Sequence, residues 1–222
     1  MQVLVTRAEP AASRTALKLK NEGFEAVVLP LFEVQDTTNA LPDHLPDHPF
    51  DAVVLTSANA ARVLQARGWQ NRNRDAVACC VGETTRAEAQ QLGFEHYITT
   101  KGGGAALAEV VEHAFAGKTA RFLYPTTADR TFDMGKALGK LGHIVVDIDI
   151  YKTARISPRA GELEAAIEAC NGGIVLVYSQ ASGAHLAQLL KEKGLDSNLT
   201  NLVVIGISQT ALNMVLDLPW RR

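Results

Sequence analysis

An internal repeat is the feature that most constrains the fold of this chain. Three strand–turn–helix segments of its first half recur in its second half. Residues 53–59 (VVLTSAN) return as 175–181 (VLVYSQA), with Ser57 aligned to Ser179. The opening segment returns near residue 123 without a gap, and the segment 81–85 has a looser echo in 205–210. Any α/β protein repeats strand, turn and helix, which could explain one matching pair. Three pairs in the same order favour a duplicated α/β module.

Short apolar runs alternate with helical patterns along the whole chain. Runs without polar alternation are typical of strands buried on both faces, as in parallel sheets covered by helices. The predicted strands are 3–5, 26–31, 52–55, 77–81, 121–124, 144–150, 174–177 and 202–205. The predicted helices are 10–22, 58–66, 84–92, 105–115, 129–141, 160–170, 181–193 and 209–216. This order predicts an α/β fold with doubly wound parallel sheets.

Three stretches depart from that alternation. The patterns at 32–37 and 148–155 alternate apolar and polar residues, which indicates strands with one wet face and makes them candidate connectors between domains. The segment 41–49 contains three prolines and is predicted to be a loop. Its pairs Asp43/His44 and Asp47/His48 could ligate a metal, but a solvated loop is the favoured interpretation.

Composition excludes several classes of protein. With 47% hydrophobic and 21% charged residues, the 222-residue chain fits a globular protein of one large or two small domains. A net charge of −2 and few aromatics argue against a nucleic-acid surface. The cysteines, Cys79, Cys80 and Cys170, form no disulfide framework. Without an apolar run of about 20 residues or a signal-peptide pattern, we expect a cytoplasmic protein that contacts no membrane.

Hydroxyl and basic side chains follow the predicted strands, where ligands bind in open parallel sheets. They are Thr6, Arg7, Thr56, Ser57, Thr84, Thr85, Thr126, Thr127, Arg130, Ser179, Ser182, Ser208 and Thr210. Helix N-termini carry partial positive charge, and hydroxyls add hydrogen-bond donors, so the set suits a ligand with several carboxylates or phosphates. Each Ser or Thr, taken alone, is better explained as an ordinary helix N-cap.

Several catalytic motifs are absent from the sequence. It contains no P-loop, no dinucleotide G-x-G-x-x-G, no H-E-x-x-H and no G-x-S-x-G. Glycines 102–104 precede a helix and are interpreted as a flexible lead-in to it. These absences argue against triad hydrolysis, metal chemistry and hydride transfer. An enzyme with this sequence would hold and shape a reactive substrate while supplying little proton chemistry of its own.

The ordered motifs resemble those of the uroporphyrinogen-III synthase family, the cofactor-free enzymes that close the linear tetrapyrrole hydroxymethylbilane. The resemblance covers almost the whole chain. Its pieces are Val5-Thr6-Arg7, Gly23, Pro30-Leu31-Phe32, Leu55-Thr56-Ser57-Ala58-Asn59-Ala60, Val81-Gly82-Glu83-Thr84-Thr85, Leu92-Gly93-Phe94, Leu123-Tyr124-Pro125, Arg130, Leu138, Gly142, Tyr151, Ser179, Ile205-Gly206 and Thr210-Ala211.

The resemblance implies two flavodoxin-like α/β domains joined by a two-stranded β-ladder, with the substrate in a cleft. It divides the chain into a discontinuous domain of 1–34 plus 156–222, a continuous domain of 38–149, and connecting strands at 35–37 and 150–155. The implied reaction loses water from the hydroxymethyl group to give an azafulvene, which attacks ring D. A spiro intermediate then lets ring D invert before closure.

Site residues are carried over from the same resemblance. Tyr151 occupies the family position proposed to assist loss of the hydroxyl, although a tyrosine on a half-exposed strand is also simply a good β residue. The implied substrate contacts are Arg7, Thr56, Ser57, Thr85, Arg130, Ser179, Ser208 and Thr210. The implied protein is a monomer that needs no cofactor and no metal. Its partners are hydroxymethylbilane and, transiently, the preceding enzyme of the pathway.

This sequence departs from the family pattern in three places. Tyr178 stands where the family often has a threonine, and the spacing from Gly206 to Thr210 is one residue longer than from Gly82 to Thr85. Ser208 is therefore an alternative contact to Thr210. After its third segment the second copy shows no equivalent of 94–115, so we expect its domain to have a short sheet.

Two other functions stay open on the sequence alone. One is a non-catalytic two-domain protein that closes on an anionic small molecule. The other is a nucleotide- or sugar-phosphate transferase that uses glycines 102–104, which the missing P-loop disfavours.

Overall fold

The structure is a computed structural model that describes residues 1–37, 50–71, 73–130 and 132–221. The pairs Asp43/His44 and Asp47/His48 lie outside the described residues. The strands are β1 Gln2–Val5, β2 Glu25–Val28, β3 Phe32–Asp36, β4 Ala52–Leu55, β5 Val77–Val81, β6 His96–Thr100, β7 Arg121–Thr126, β8 Ile144–Asp149, β9 Tyr151–Arg155, β10 Ile174–Val177 and β11 Val203–Gly206. The helices are α1 Ala11–Asn21, α2 Ala58–Ala66, α3 Glu83–Gln91, α4 Gly103–Ala114, α5 Met134–Lys140, α6 Glu162–Ala169, α7 Gln180–Glu192 and α8 Gln209–Asn213, with a 3₁₀ turn at Asp196–Leu199.

The chain divides into two compact units. Unit 1 comprises Met1–Val34 and Thr153–Arg222, and unit 2 comprises Gln35–Lys152. Each unit is built around its own parallel sheet, which confirms the predicted α/β class with parallel sheets. Within the described residues, no helix combines the length and the apolar character needed to cross a membrane.

Unit 2 contains a five-stranded sheet in the order β6-β5-β4-β7-β8. Every neighbouring pair is parallel, and Val53 of β4 lies opposite Ala78 of β5 and Leu123 of β7. Numbered along the chain of unit 2, this order is 3-2-1-4-5. The chain reverses direction across the sheet between β4 and β7, where ligands bind in folds of this class.

Unit 1 contains a four-stranded sheet in the order β11-β10-β1-β2, again with parallel neighbours. Strands β10, β11, β1 and β2 occupy the same places in this sheet as β4, β5, β7 and β8 in unit 2. These are the pairs that the sequence repeat aligned. Among the five strands of the unit 2 sheet, the one without a counterpart is β6, in agreement with the short sheet expected for the second copy.

The two stretches with alternating patterns pair with each other. Strands β3 and β9 form a separate two-stranded sheet, and the division between the units falls within both strands. Strand β9 is partly exposed, and Tyr151, its first residue, is only 6% exposed. Its phenol lies beside Ser57 and Tyr124 of unit 2, whereas the next two residues are exposed.

Each unit has its own apolar core. In unit 1, Leu4, Val175, Leu186 and Leu199 are fully buried, and in unit 2 Phe122 packs with residues of α4 and α5 such as Leu107 and Leu138. Strand β4 is buried at every position, as expected for a central parallel strand. Close-packed cores of this kind hold the strand ends, and hence the side chains that follow them, in defined positions.

One helix begins later than its pattern predicts. The sequence predicts a helix from residue 129, but α5 starts at Met134 because Asp133 caps it, accepting a hydrogen bond from the Lys136 amide at 2.8 Å. Thr127–Arg130 therefore lie in the turn after β7 rather than on a helix. This places the Arg130 guanidinium at the carboxyl end of the unit 2 sheet.

Candidate active site

Four hydroxyl groups meet in unit 2 where β4 ends. Thr56 and Ser57 follow β4 directly, and the Thr56 hydroxyl lies 3.4 Å from the hydroxyl of Tyr124, a fully buried residue of β7. The Tyr151 phenol lies beside both Ser57 and Tyr124. We call Thr56, Ser57, Tyr124 and Tyr151 the hydroxyl cluster. It combines proton donors and acceptors without a carboxylate or a histidine among its members.

Burial raises the pKa of the Tyr151 phenol above its ordinary value of 10.0. A hydrogen bond with the Ser57 hydroxyl lowers this pKa in part, and the neighbouring Tyr124 raises it further. The phenol is therefore fully protonated at neutral pH, and it can donate a hydrogen bond or act as a weak general acid. Ser57 has a second role as the N-cap of α2, accepting from the Asn59 amide at 3.1 Å.

The sequence predicted Arg130 as a contact for an anionic ligand, but in unit 2 its guanidinium is already paired. Its two terminal nitrogens lie 3.1 Å from Asp147 and 2.9 Å from Asp149, both on β8. Gly135 permits this arrangement, because a Cβ there would lie 2.9 Å from the Asp147 carboxylate. Burial raises the pKa of Asp147, while Arg130 lowers it.

Two threonines lie in the first turn of α3, and the one predicted to contact the substrate is buried. Thr85 is only 4% exposed, whereas the neighbouring Thr84 is exposed. The helix is capped at Gly82, whose φ of 79° is a conformation that glycine adopts readily. Thr126, at the end of β7, is also buried.

In unit 1, Arg7 follows β1 and stacks on an aromatic ring. Its guanidinium carbon lies 4.7 Å from the centre of the Tyr178 ring, which is a cation–π contact. The Tyr178 hydroxyl is buried next to Thr15 without a hydrogen bond of ordinary geometry, and burial raises the pKa of the phenol. No carboxylate among the described residues forms an ion pair with Arg7. Arg7 therefore offers a partly exposed cation that lacks a counter-charge among the described residues.

Serines cap two helices of unit 1 at the carboxyl end of its sheet. Ser179 caps α7 in a reciprocal box with Ser182: each side chain accepts from the other residue's amide, at 3.0 and 2.8 Å. Ser208 caps α8, accepting from the Ala211 amide at 3.2 Å, and its hydroxyl lies 3.0 Å from that of Thr210. Ser208, rather than Thr210, thus holds the position that Ser57 and Ser179 hold on their helices.

The structure therefore gathers the sequence candidates into two groups, one in each unit. In unit 2 these are the hydroxyl cluster and Arg130, and in unit 1 they are Arg7, Ser179, Ser208 and Thr210. Tyr124 was not selected from the sequence as a site residue, because a tyrosine inside an apolar strand gives no sign of where its hydroxyl points. Among the described residues, no three His, Cys, Asp or Glu side chains are grouped to hold a metal ion.

Comparisons with known proteins identify the family of this chain. A family model described as uroporphyrinogen-III synthase HemD matches residues 13–222. A curated protein of Archaeoglobus fulgidus, provisionally named uroporphyrinogen-III synthase, is 26% identical over 98% of this chain and 89% of its own length.

Two solved structures share the fold. The uroporphyrinogen-III synthetase of Helicobacter pylori has a TM-score of 0.61 at 17% identity, covering 99% of this chain and 90% of the other. A mutant uroporphyrinogen III synthase of Thermus thermophilus has a TM-score of 0.54 at 13% identity, covering 100% of this chain and 90% of the other. The chain belongs to the uroporphyrinogen-III synthase family, the cyclising lyases of tetrapyrrole biosynthesis.

Proposed function

We propose that this chain closes hydroxymethylbilane to uroporphyrinogen III, with inversion of ring D and loss of water, and that Tyr151 is its catalytic residue. The observation that carries the assignment of Tyr151 is the hydroxyl cluster, which holds a protonated phenol beside Ser57 in a site without a strong acid–base pair. Hydroxymethylbilane closes spontaneously to the uninverted isomer, so the enzyme's task is to select a geometry. A site that positions the substrate and donates one hydrogen bond suits that task.

The first step is loss of the hydroxyl group. As the carbon–oxygen bond breaks, the Tyr151 phenol transfers its proton to the departing oxygen, which leaves as water. The pyrrole N–H proton is lost as the azafulvene forms, and this proton restores the phenol. Burial raises the pKa of Tyr151, so the phenol is a weak acid; a weak acid suffices here because the electron pair of the pyrrole nitrogen drives departure of the hydroxyl group.

The substrate carries many carboxylates, and both units offer groups to bind them. In the proposal, the contacts from unit 1 are Arg7, Ser179, Ser208 and Thr210, and those from unit 2 are Thr56, Ser57, Thr85 and Arg130. Arg7 is the strongest candidate because it lacks a carboxylate partner among the described residues. Arg130 would share its guanidinium between a substrate carboxylate and Asp147 or Asp149, or release one of them.

The proposed domains are 1–34 plus 156–222 and 38–149, with 35–37 and 150–155 as connecting strands. The pairing of β3 with β9 supports a ladder that joins the two domains. We also propose a transient contact with the enzyme that supplies the substrate, because direct transfer would limit spontaneous closure. Adding the supplying enzyme in excess should lower the yield of uninverted isomer more than an equal amount of an inert protein does.

The test is an isomer-resolved assay on freshly prepared hydroxymethylbilane. The full-length protein should give uroporphyrinogen III well above the uninverted isomer, and heat-denatured protein should give the product ratio of buffer. If the native protein also gives only the uninverted isomer at the buffer rate, the proposal is wrong. Tight binding of the substrate with that result would identify the chain as a binding protein.

A further inference from the structure

Arg67 makes an unusual set of contacts for a residue at the end of a helix. It is the C-cap of α2, and its side chain is only 14% exposed. Its guanidinium donates to both oxygens of the Asp36 carboxylate, through Nε to Oδ2 at 2.8 Å and through a terminal nitrogen to Oδ1. The same terminal nitrogen donates to the backbone carbonyls of Thr37 at 3.0 Å and Ile150 at 3.2 Å. The planar fork of arginine suits such a multiple contact.

The two segments that Arg67 contacts are also bonded directly to each other. The Thr37 amide donates to the Ile150 carbonyl at 3.1 Å, and the Thr37 hydroxyl donates to the Asp149 carbonyl at 2.7 Å. We call Asp36, Thr37, Arg67, Asp149 and Ile150 the Arg67 junction. The Ile150 carbonyl accepts two hydrogen bonds there, so the backbone that immediately precedes Tyr151 is held from two sides.

The Arg67 junction adjoins two candidate site residues. Tyr151 follows Ile150 in the chain, and the Asp149 carboxylate pairs with Arg130 at 2.9 Å. The cap residues at both ends of helix α2 contact the segment around Tyr151. Ser57, its N-cap, lies beside the phenol, and Arg67, its C-cap, bonds the preceding carbonyl. A change at Arg67 would therefore move the Tyr151 backbone relative to the Ser57 hydroxyl.

We propose that Arg67 is a positioning residue for hydroxyl loss, because it fixes the backbone from which the Tyr151 phenol projects. The inference rests on the proposed function for the role of Tyr151, but the junction itself can be tested without catalysis. Asp36 supports it, since its hydrogen bond to Arg67 lowers the pKa of this carboxyl and keeps it ionised. Asp36 neutralises the charge of Arg67, so the proposed role of Arg67 is structural support of the Tyr151 backbone and not substrate binding.

The test compares Arg67→Met with Arg62→Met in the full-length protein. Arg62 is a matched control because it lies on the same helix, is 19% exposed and pairs with Glu88 at 2.7 Å, away from the junction. Arg67→Met should lower kcat about 10-fold with KM nearly unchanged, since small misplacements of catalytic groups cost this much or more. Arg67→Lys should recover part of the loss, and Arg62→Met should retain the wild-type kcat.

A double variant separates positioning from general stability. If Arg67 acts through the phenol, Arg67→Met should add little to the loss already caused by Tyr151→Phe. If the kcat losses of Arg67→Met and Tyr151→Phe multiplied fully in the double variant, the inference would be overturned. An equal kcat loss in Arg62→Met would also overturn it. Should Arg67→Met fail to fold, Asp36→Asn weakens the same junction while retaining its shape, and it should lower kcat in the same direction by a smaller factor.

Two readouts do not depend on turnover. Arg67→Met should speed hydrogen exchange at the Thr37 amide and shift the titration of the Tyr151 phenol, followed by NMR of labelled tyrosine. Unchanged exchange and titration would overturn the inference even in an active enzyme. A wild-type protein without synthase activity would overturn the proposed function, whereas altered exchange and titration would still support the junction.

Discussion

The two units share a strand order, yet they use the ends of their strands differently. In unit 2 the hydroxyls after β4 contact one another and the buried phenols, and Arg130 is neutralised by two aspartates. In unit 1 the serines serve as helix caps, and Arg7 stacks on Tyr178 without a carboxylate partner among the described residues. The two copies of the fold have therefore diverged: the strand ends of unit 2 hold buried phenols, and those of unit 1 hold a cation without a carboxylate partner among the described residues.

The largest effect should come from removing the phenolic hydroxyl of unit 2. Tyr151→Phe keeps the buried ring but deletes the proton donor, so kcat should fall about 100-fold while KM stays nearly constant. Steady-state kinetics of uroporphyrinogen III formation measure kcat and KM. Tyr97→Phe is the matched control, since the Tyr97 hydroxyl donates to the Phe94 carbonyl in the same unit. Unchanged kinetics in Tyr151→Phe would exclude a catalytic hydroxyl.

Removing the cation of unit 1 should weaken binding instead. Arg7→Met retains an apolar side chain over Tyr178 but loses the charge, and a charge-assisted hydrogen bond is worth about 1.5–3 kcal/mol. KM should therefore rise about 10-fold or more, and the salt dependence of KM should decrease. Lys20→Met, an exposed change of the same charge on α1, is the control. Equal effects of the two variants would mean that only net charge matters.

Arg130 should contribute to the free energy of unfolding in a pH-dependent way. Arg130→Gln removes the group that lowers the pKa of Asp147, so this already raised pKa should rise further. A raised pKa means that the folded protein prefers Asp147 protonated. The variant therefore loses stability, relative to the wild type, only as the pH rises through the pKa of Asp147 and the carboxyl ionises. We expect a loss of about 1 kcal/mol at pH 7 that vanishes below about pH 4, measured by urea unfolding. A loss independent of pH would contradict the ion-pair explanation.

The smallest effect is expected from removing the equivalent serine N-caps of the two units. Ser57→Ala and Ser179→Ala should each lower the free energy of unfolding by about 1 kcal/mol, the usual value of an N-cap. Only Ser57→Ala should also raise the pKa of Tyr151, because Ser57 lowers it. Denaturation and an NMR titration of labelled tyrosine measure the two effects. If Ser179→Ala shifted that titration equally, the phenol would not be sensing the Ser57 hydroxyl.

Local patterns predicted the elements that depend on local causes. Helix α2 spans the predicted residues 58–66, because a serine N-cap and apolar residues at helical spacing are both visible in the sequence. The start of α5 was missed because Asp129 and Arg130 fit a helical pattern equally well. They lie instead in a turn from which Arg130 reaches Asp147 and Asp149, and no local pattern records such a long-range ion pair.

By itself the sequence determined the α/β class and the duplication, because periodicity and repeats are properties of the order of residues. Tyr151 was predicted as the catalytic residue only through the resemblance to the uroporphyrinogen-III synthase family. Tertiary structure decided which nominated groups interact. It buried Tyr151 beside Ser57, added Tyr124 to the same cluster, neutralised Arg130 and left Arg7 without a carboxylate partner among the described residues. Burial and charge pairing depend on residues far apart in the chain, and only packing brings them together.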